Sequence, residues 1–149
     1  MFFYTGVYSV SLQFSSKLTR NHSKYSRIGS SVLSYYYEAI SVRTPVNGYF
    51  TFASTCSFDI DGSLYSFSFD PKNATKNLLI HNDDGGNGVE FLLQAHLLSG
   101  FTYILVVTTY ISNVIGAYTI SISGTTDYIW FTKTNALTET IAIRYNARK

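Results

Sequence analysis

The sequence predicts an all-β protein built as an antiparallel β-sandwich, jelly-roll-like in type. In short runs along the 149-residue chain, apolar and polar residues alternate with the period of two that half-buried strands show. Aromatic residues make up 17% of the chain and charged residues only 13%, a balance that suits pleated surfaces with one buried face. Turn dipeptides interrupt these runs at Asn47-Gly48, Asp61-Gly62, Asp84-Gly85 and Asn87-Gly88.

Strands are expected throughout the chain. Alternation is plain in "GVYSVSLQF", "GYFTF", "LYSFSF", "GAYTISIS" and "ETIAIRY". The run "FTYILVVTTY", residues 101 to 110, is apolar on both faces and predicts a central strand covered on both sides. The segment "EFLLQAHLLSG" fits a helix or a strand, and the glycine turns on either side favour a strand.

The first strand resembles the strand that begins at Gly116. Both follow the pattern Gly-x-Tyr-(Ser/Thr)-(Val/Ile)-Ser-(Leu/Ile), from Gly6 and from Gly116, a separation of domain length. We therefore expect residues 1–14 to be either the last strand of a preceding repeat or the first strand of the sandwich. Residues 15–124 are expected to form the sandwich, and residues 125–149 to add strands to the same domain.

Charge and cysteine content argue against several classes of protein. The formal net charge is +2, too small to predict a nucleic-acid partner. The single cysteine, Cys56, allows no internal disulfide. The segment "MFFYTGVYSVSLQF" predicts a strand, not a signal peptide or membrane span, so an extracellular protein needs an export signal outside this chain. Sequons at Asn21 and Asn73 permit glycosylation.

Acidic residues concentrate in the middle of the chain. Asp59 and Asp61 are two positions apart, so on a strand with Ile60 in the core both carboxylates face solvent or a neighbouring loop. With the following "HNDDGGNG" they offer the carboxylate and amide oxygens that Ca²⁺ prefers. Those further ligands are Asp83, Asp84 and Asn82 or Asn87. The alternative is that each Asp-Gly pair only makes a turn, and His81 beside the loop is interpreted as a turn residue.

Five motifs in order resemble the bacterial pre-peptidase C-terminal domain: "GYFTFAS", "FDIDGSLYSFSFDP", "NDDGGNG", "LLSGFTYILVVT" and "GAYTISIS". The similarity spans about residues 36 to 124. It implies a non-catalytic sandwich, appended to secreted hydrolases or repeated in extracellular proteins. Some relatives bind calcium, and some bind collagen or polysaccharide. The ion ligands that the resemblance implies are Asp59, Asp61, Asp83 and Asp84.

The sequence contains no Gly-x-Ser-x-Gly elbow, HExxH motif, phosphate loop or dinucleotide fingerprint. We expect a non-catalytic extracellular or secreted module, accessory or adhesive, that binds an extracellular protein or polysaccharide and does not insert into a membrane. Neighbouring copies of the same domain are further expected partners. The alternative is a carbohydrate-binding module that uses exposed rings among Tyr35, Tyr36 and Tyr37. A hydrolase with the carboxylate pair Asp59 and Asp84 is the less favoured alternative.

Overall fold

The computed structural model describes residues 10–31, 34–83, 90–124, 126, 129–133 and 140–142. These residues form twelve strands and no helix, which confirms the all-β prediction. The strands are β1 (Val10–Leu18), β2 (Lys24–Tyr25), β3 (Tyr35–Tyr36), β4 (Glu38–Arg43), β5 (Gly48–Thr55), β6 (Ile60–Ser66), β7 (Leu78–Asn82), β8 (Leu92–Leu97), β9 (Tyr103–Thr109), β10 (Gly116–Gly124), β11 (Trp130–Lys133) and β12 (Thr140–Ala142). Residues 1–9 and 143–149, for which strands are also predicted, lie outside the described ranges.

Two antiparallel sheets pack face to face as the predicted sandwich. One has four strands in the order β1-β10-β5-β8, and the other has six in the order β12-β11-β4-β9-β6-β7. The segment "EFLLQAHLLSG" supplies β8, so the strand interpretation of this segment is confirmed. In the described part of the chain, no helix is long and apolar enough to cross a membrane.

The main core lies between the two sheets. Alternate residues, from Leu12 on β1 and from Tyr118 on β10, point into it, and Leu12, Phe14, Ile120 and Ile122 are almost completely buried there. Phe14 packs against Phe131 of β11 with ring centroids 5.2 Å apart, which joins the two sheets on this side. Burial of such apolar side chains is the dominant favourable contribution to folding.

The prediction of a turn at Asp61-Gly62 is wrong. The dipeptide Asp61-Gly62 predicts an interruption between strands, but both residues lie inside β6. A Cβ atom at position 62 would meet the ring of Phe91 at 2.6 Å, far inside van der Waals contact. Glycine is therefore needed here for the close approach of an aromatic ring, not for a turn.

A second apolar cluster covers the outer face of the six-stranded sheet. Tyr25, from the small β2–β3 ribbon, packs on Tyr37 and Phe69 with ring centroids 4.8 and 5.5 Å apart. Tyr65 of β6 and Val106 of β9 belong to the same cluster. The central strand β9 is thus buried on both faces, as its uninterrupted apolar sequence predicts.

The two strands with similar sequences are neighbours in the four-stranded sheet. β1 pairs with β10 antiparallel over its whole length, from Val10 opposite Gly124 to Leu18 opposite Gly116. β11 pairs with β4 on one side and with β12 on the other. The strands β11 and β12 therefore extend the six-stranded sheet beyond β4.

Candidate functional site

Asp61 lies at the centre of a buried polar cluster near the start of β6. Its neighbour Ile60 is in the main core, whereas Asp61 is covered by the β2–β3 side of the molecule and is only 1% exposed. Nε2 of His81, on the adjacent strand β7, donates to both carboxylate oxygens at 2.8 Å. The guanidinium of Arg27 lies 3.7 Å from one of those oxygens. Two basic side chains therefore face one carboxylate.

Arg27 connects this cluster to the segments that cover it. Its guanidinium stacks on the rings of Tyr35 and Tyr110, 4.8 and 4.9 Å from their centroids. It also donates hydrogen bonds to the backbone oxygens of Ile28 and Tyr110, at 2.9 and 3.1 Å. Arginine suits this position because its planar group stacks on rings and donates in several directions at once.

Burial and charge shift the pKa values of this cluster. Burial raises the pKa of the Asp61 carboxyl, and the neighbouring His81 and Arg27 oppose that shift. The hydrogen bond to Asp61 is the main cause that raises the pKa of His81. On the same face of β6, burial raises the pKa of Tyr65 to about 12. The arrangement holds a buried carboxylate by pairing it with basic groups, as buried charges require.

The predicted calcium ligands are only partly brought together. Asp59 lies half-buried just before β6, and Asp83 follows β7, close enough for its charge to act on Asp61. Asp84 and Asn87 lie outside the described residues. Within the described ranges, no group of three or more His, Cys, Asp or Glu side chains is placed to hold a metal ion. Calcium binding stays a prediction.

The three consecutive tyrosines are half-buried and have packing roles. Tyr35 stacks on Arg27, and the ammonium group of Lys24 lies 4.7 Å from the centroid of the Tyr36 ring. The ring of Tyr37 packs edge-on against Phe69 with centroids 5.4 Å apart. These contacts do not test the predicted role in carbohydrate binding, which stays a prediction.

A different site lies at the opposite end of β6. A cavity of about 230 Å³, which we call the aromatic pocket, is open to solvent there. The rings of Phe67 and Phe101 are 63% and 42% exposed, and their centroids lie 5.8 Å apart. Among the residues that the structure describes, no aspartate, glutamate, lysine or arginine contributes to its lining. The lining residues are Ser66, Phe67, Leu79, His96, Leu98, Phe101, Thr102 and Tyr103.

Phe67 adopts a backbone conformation that is unfavourable for a bulky residue. Its φ angle is +69°, in the left-handed region, where L-residues other than glycine, asparagine and aspartate are rare. The conformation costs roughly 1–2 kcal/mol. The N–H of Phe67 donates to the backbone oxygen of Thr102 at 2.9 Å, which fixes the turn. Backbone strain of this kind concentrates at functional sites, so the exposed Phe67 marks the pocket as a candidate.

Leu79 reaches the same pocket through an irregularity in β7. Leu64 of β6 is opposite Ile80, and the next residue, Tyr65, is opposite Leu78, so Leu79 is an extra residue in the strand. Such a bulge re-aims a side chain, and here Leu79 lines the pocket while remaining about half exposed. Two local distortions, at Phe67 and at Leu79, thus meet at one apolar cavity.

Sequence reasoning missed the aromatic pocket. The run "LYSFSF" predicts a strand through Phe69, whereas β6 ends at Ser66 and the left-handed Phe67 follows. The alternation of apolar residues is the right signal up to Ser66. Neither a glycine nor an asparagine stands at position 67, so no residue type in the sequence signals the turn.

No protein-family model matches this chain, and no curated protein matches it. Among solved structures, the fold is similar to the crystal structure of Aeromonas hydrophila PliG, a periplasmic lysozyme inhibitor of g-type lysozyme. The TM-score is 0.50 at 13% sequence identity, and the match covers 78% of this chain and 87% of that chain. At this level of identity the similarity shows the fold alone. The resemblance to pre-peptidase C-terminal domains stays a prediction.

Proposed function

We propose that the protein is a non-catalytic, exported β-sandwich that binds another protein through the aromatic pocket. The observation that carries this proposal is Phe67, a strained residue whose ring is 63% exposed. An exposed ring gains little from burial within the chain, so the cost of its backbone conformation is not offset there. Burial of the ring against a partner would supply the favourable free energy that offsets this cost.

The size and chemistry of the pocket favour a protein partner. Its volume of about 230 Å³ is smaller than the ~300–1,000 Å³ of sites that enclose a drug-sized ligand. A cavity of this size suits one apolar side chain, the kind of anchor that dominates many protein–protein interfaces. The uncharged lining selects an aromatic or large aliphatic side chain, because a charged one would lose its hydration without gaining a partner.

The structural neighbour supports the same class of function. Aeromonas hydrophila PliG is a periplasmic inhibitor of another protein, g-type lysozyme. An exported, non-catalytic sandwich with a protein partner agrees with that neighbour, and the adhesive or accessory role predicted from the sequence is one form of it. One of the first partners to assay is g-type lysozyme, by measuring whether the protein inhibits cell-wall lysis by that enzyme.

Selection from a peptide library tests the pocket directly. Immobilised full-length protein is presented with phage-displayed random peptides, in parallel with Phe67→Asn and Phe101→Ala variants. We expect enrichment of peptides that carry a tryptophan, phenylalanine or leucine on the unmodified protein and at least about tenfold weaker binding to both variants, as for loss of an interface anchor. The proposal fails if enriched peptides bind all three proteins equally.

A calcium site at the acidic edge is a second proposal. Gly62 of β6 is opposite Asn82 of β7, so Asp61 and Asp83, the next residues along the two strands, lie near each other at this end of the sheet. A bound ion stabilises the folded state according to its free concentration. We expect the melting temperature to rise at millimolar Ca²⁺ and the rise to disappear in Asp83→Asn. A melting temperature that does not change with Ca²⁺ would reject a stabilising site.

A further inference from the structure

The strand β1 forms a long edge of the four-stranded sheet. β1 is the outermost strand and pairs with β10 through nine consecutive residues, without a register shift. Among the described residues no strand lies on its other side. The edge is held firmly in place, since Ser16 donates a hydrogen bond to the buried carboxylate of Glu38 on β4 at 2.7 Å. An edge of this length is a template for another strand.

The other described edges are short or modified. β12 has three residues, and β7 has five with the extra residue Leu79 among them. On β8, the N–H of Leu92 already donates to the side chain of Asn82 at 3.0 Å. By contrast, β1 contains no proline, glycine or bulge, and Lys17 is its only charged residue. The usual devices that prevent pairing at an edge are nearly absent from β1.

The sequence of β1 identifies a suitable partner strand. Within the molecule β1 pairs with β10, which has the same residue pattern, and the register sets Leu12 opposite Ile122, its equivalent in that pattern. Apolar residues face apolar residues on the core side, and on the outer side Gln13 lies opposite Ser121. A strand that pairs antiparallel with its own pattern is self-complementary, which is what a two-fold interface between identical chains requires.

We infer that two copies of this chain associate through their β1 edges, antiparallel about a two-fold axis, to form one continuous eight-stranded sheet. The fullest overlap sets Val10 opposite Leu18 of the second copy and places the axis at Phe14. Gln13 then lies opposite Ser15 of the second copy. Position 17 lies opposite position 11, so the two lysines do not oppose each other. One strand edge gives a small interface, so the dimer is expected to be weak.

Sedimentation equilibrium of the full chain tests this inference over about 10 μM to 1 mM. We expect the average mass to rise from that of one chain toward that of two. In Gln13→Lys/Ser15→Lys, four lysines meet across the axis, and the dissociation constant should rise at least about tenfold. The control, Thr51→Lys/Thr55→Lys, adds the same charge to β5, two strands away from the edge, and should behave as the unmodified chain.

Disulfide cross-linking gives a second readout that does not depend on the lysine variant folding. Two single-cysteine proteins, Gln13→Cys and Ser15→Cys, each with Cys56→Ser, are mixed and oxidised. The proposed register brings position 13 of one chain beside position 15 of the other, so mixed dimers should exceed either self-linked dimer. A chain that stays monomeric to about 1 mM, equal dissociation constants for the two lysine variants, or a random distribution of cross-links would each overturn the inference.

Discussion

The two ends of β6 have opposite characters. At its start, Asp61 is buried beneath Arg27 and held by His81. At its end, about 20 Å away along the strand, the apolar ring of Phe67 is exposed to solvent. The polar end is covered and paired, whereas the apolar end is open and strained. The buried charges at the start of β6 hold the structure in place, whereas the exposed apolar residues at its end form the surface that we propose for binding.

The largest expected difference in stability between the two ends of β6 is the loss caused by Asp61→Ala. Removing the carboxylate leaves Arg27 and His81 facing each other in a mostly buried position, so the free energy of unfolding should fall by about 3 kcal/mol. Asp83→Ala removes a carboxylate that is half-buried and should cost less than about 1 kcal/mol. Urea denaturation measures both values. Equal losses would mean that the buried cluster has no special role in stability.

The pH dependence of stability should arise mainly from the titratable groups at the Asp61 end of β6. The folded-state pKa of His81 is raised above its ordinary value of 6.5. Its stabilising contribution is therefore fully present below pH 6.5 and is lost as the pH rises through the raised pKa. The pKa of Asp61 is also raised, so ionisation of this group likewise favours the unfolded chain as the pH increases above its ordinary value of 3.8.

Replacing one histidine at each end distinguishes their contributions to this pH dependence. We expect the unfolding free energy of the unmodified protein to decline above pH 6.5, and the decline to flatten in His81→Asn. The control is His96→Asn, which changes an exposed histidine beside the aromatic pocket. A decline that persists in His81→Asn and disappears in His96→Asn would reverse this assignment. Chemical denaturation at a series of pH values provides the measurement.

The fold was predictable because its signal is local. Strands with one buried face repeat every two residues, and β5 and β10 follow that pattern, while β9 is apolar throughout. Pairing of β1 with β10 was not predictable from the pattern alone, since the internal similarity also fitted a preceding repeat. Only the register shows which strand lies beside which.

The polar cluster was partly predictable and the aromatic pocket was not. The sequence predicts Asp61 as an oxygen donor, but its partner Arg27 comes from a segment more than thirty positions earlier, and no local pattern joins them. The burial of Asp61 depends on the segments around the β2–β3 ribbon, a long-range contact. At the other end, the exposure of Phe67 depends on a left-handed turn at a residue type that rarely adopts one.

The smallest expected effect on stability is at Phe67, and its direction is the reverse of the effect at Asp61. Asparagine adopts left-handed angles more readily than phenylalanine, so Phe67→Asn should relieve strain and raise the free energy of unfolding by about 0.5 kcal/mol, even though the contact with Phe101 is lost. Phe101→Ala loses the same contact without a left-handed backbone to relieve and should be neutral or slightly destabilising. If urea denaturation shows Phe67→Asn to be the less stable of the two, the ring of Phe67 stabilises the fold itself, and its exposure needs no partner to explain it.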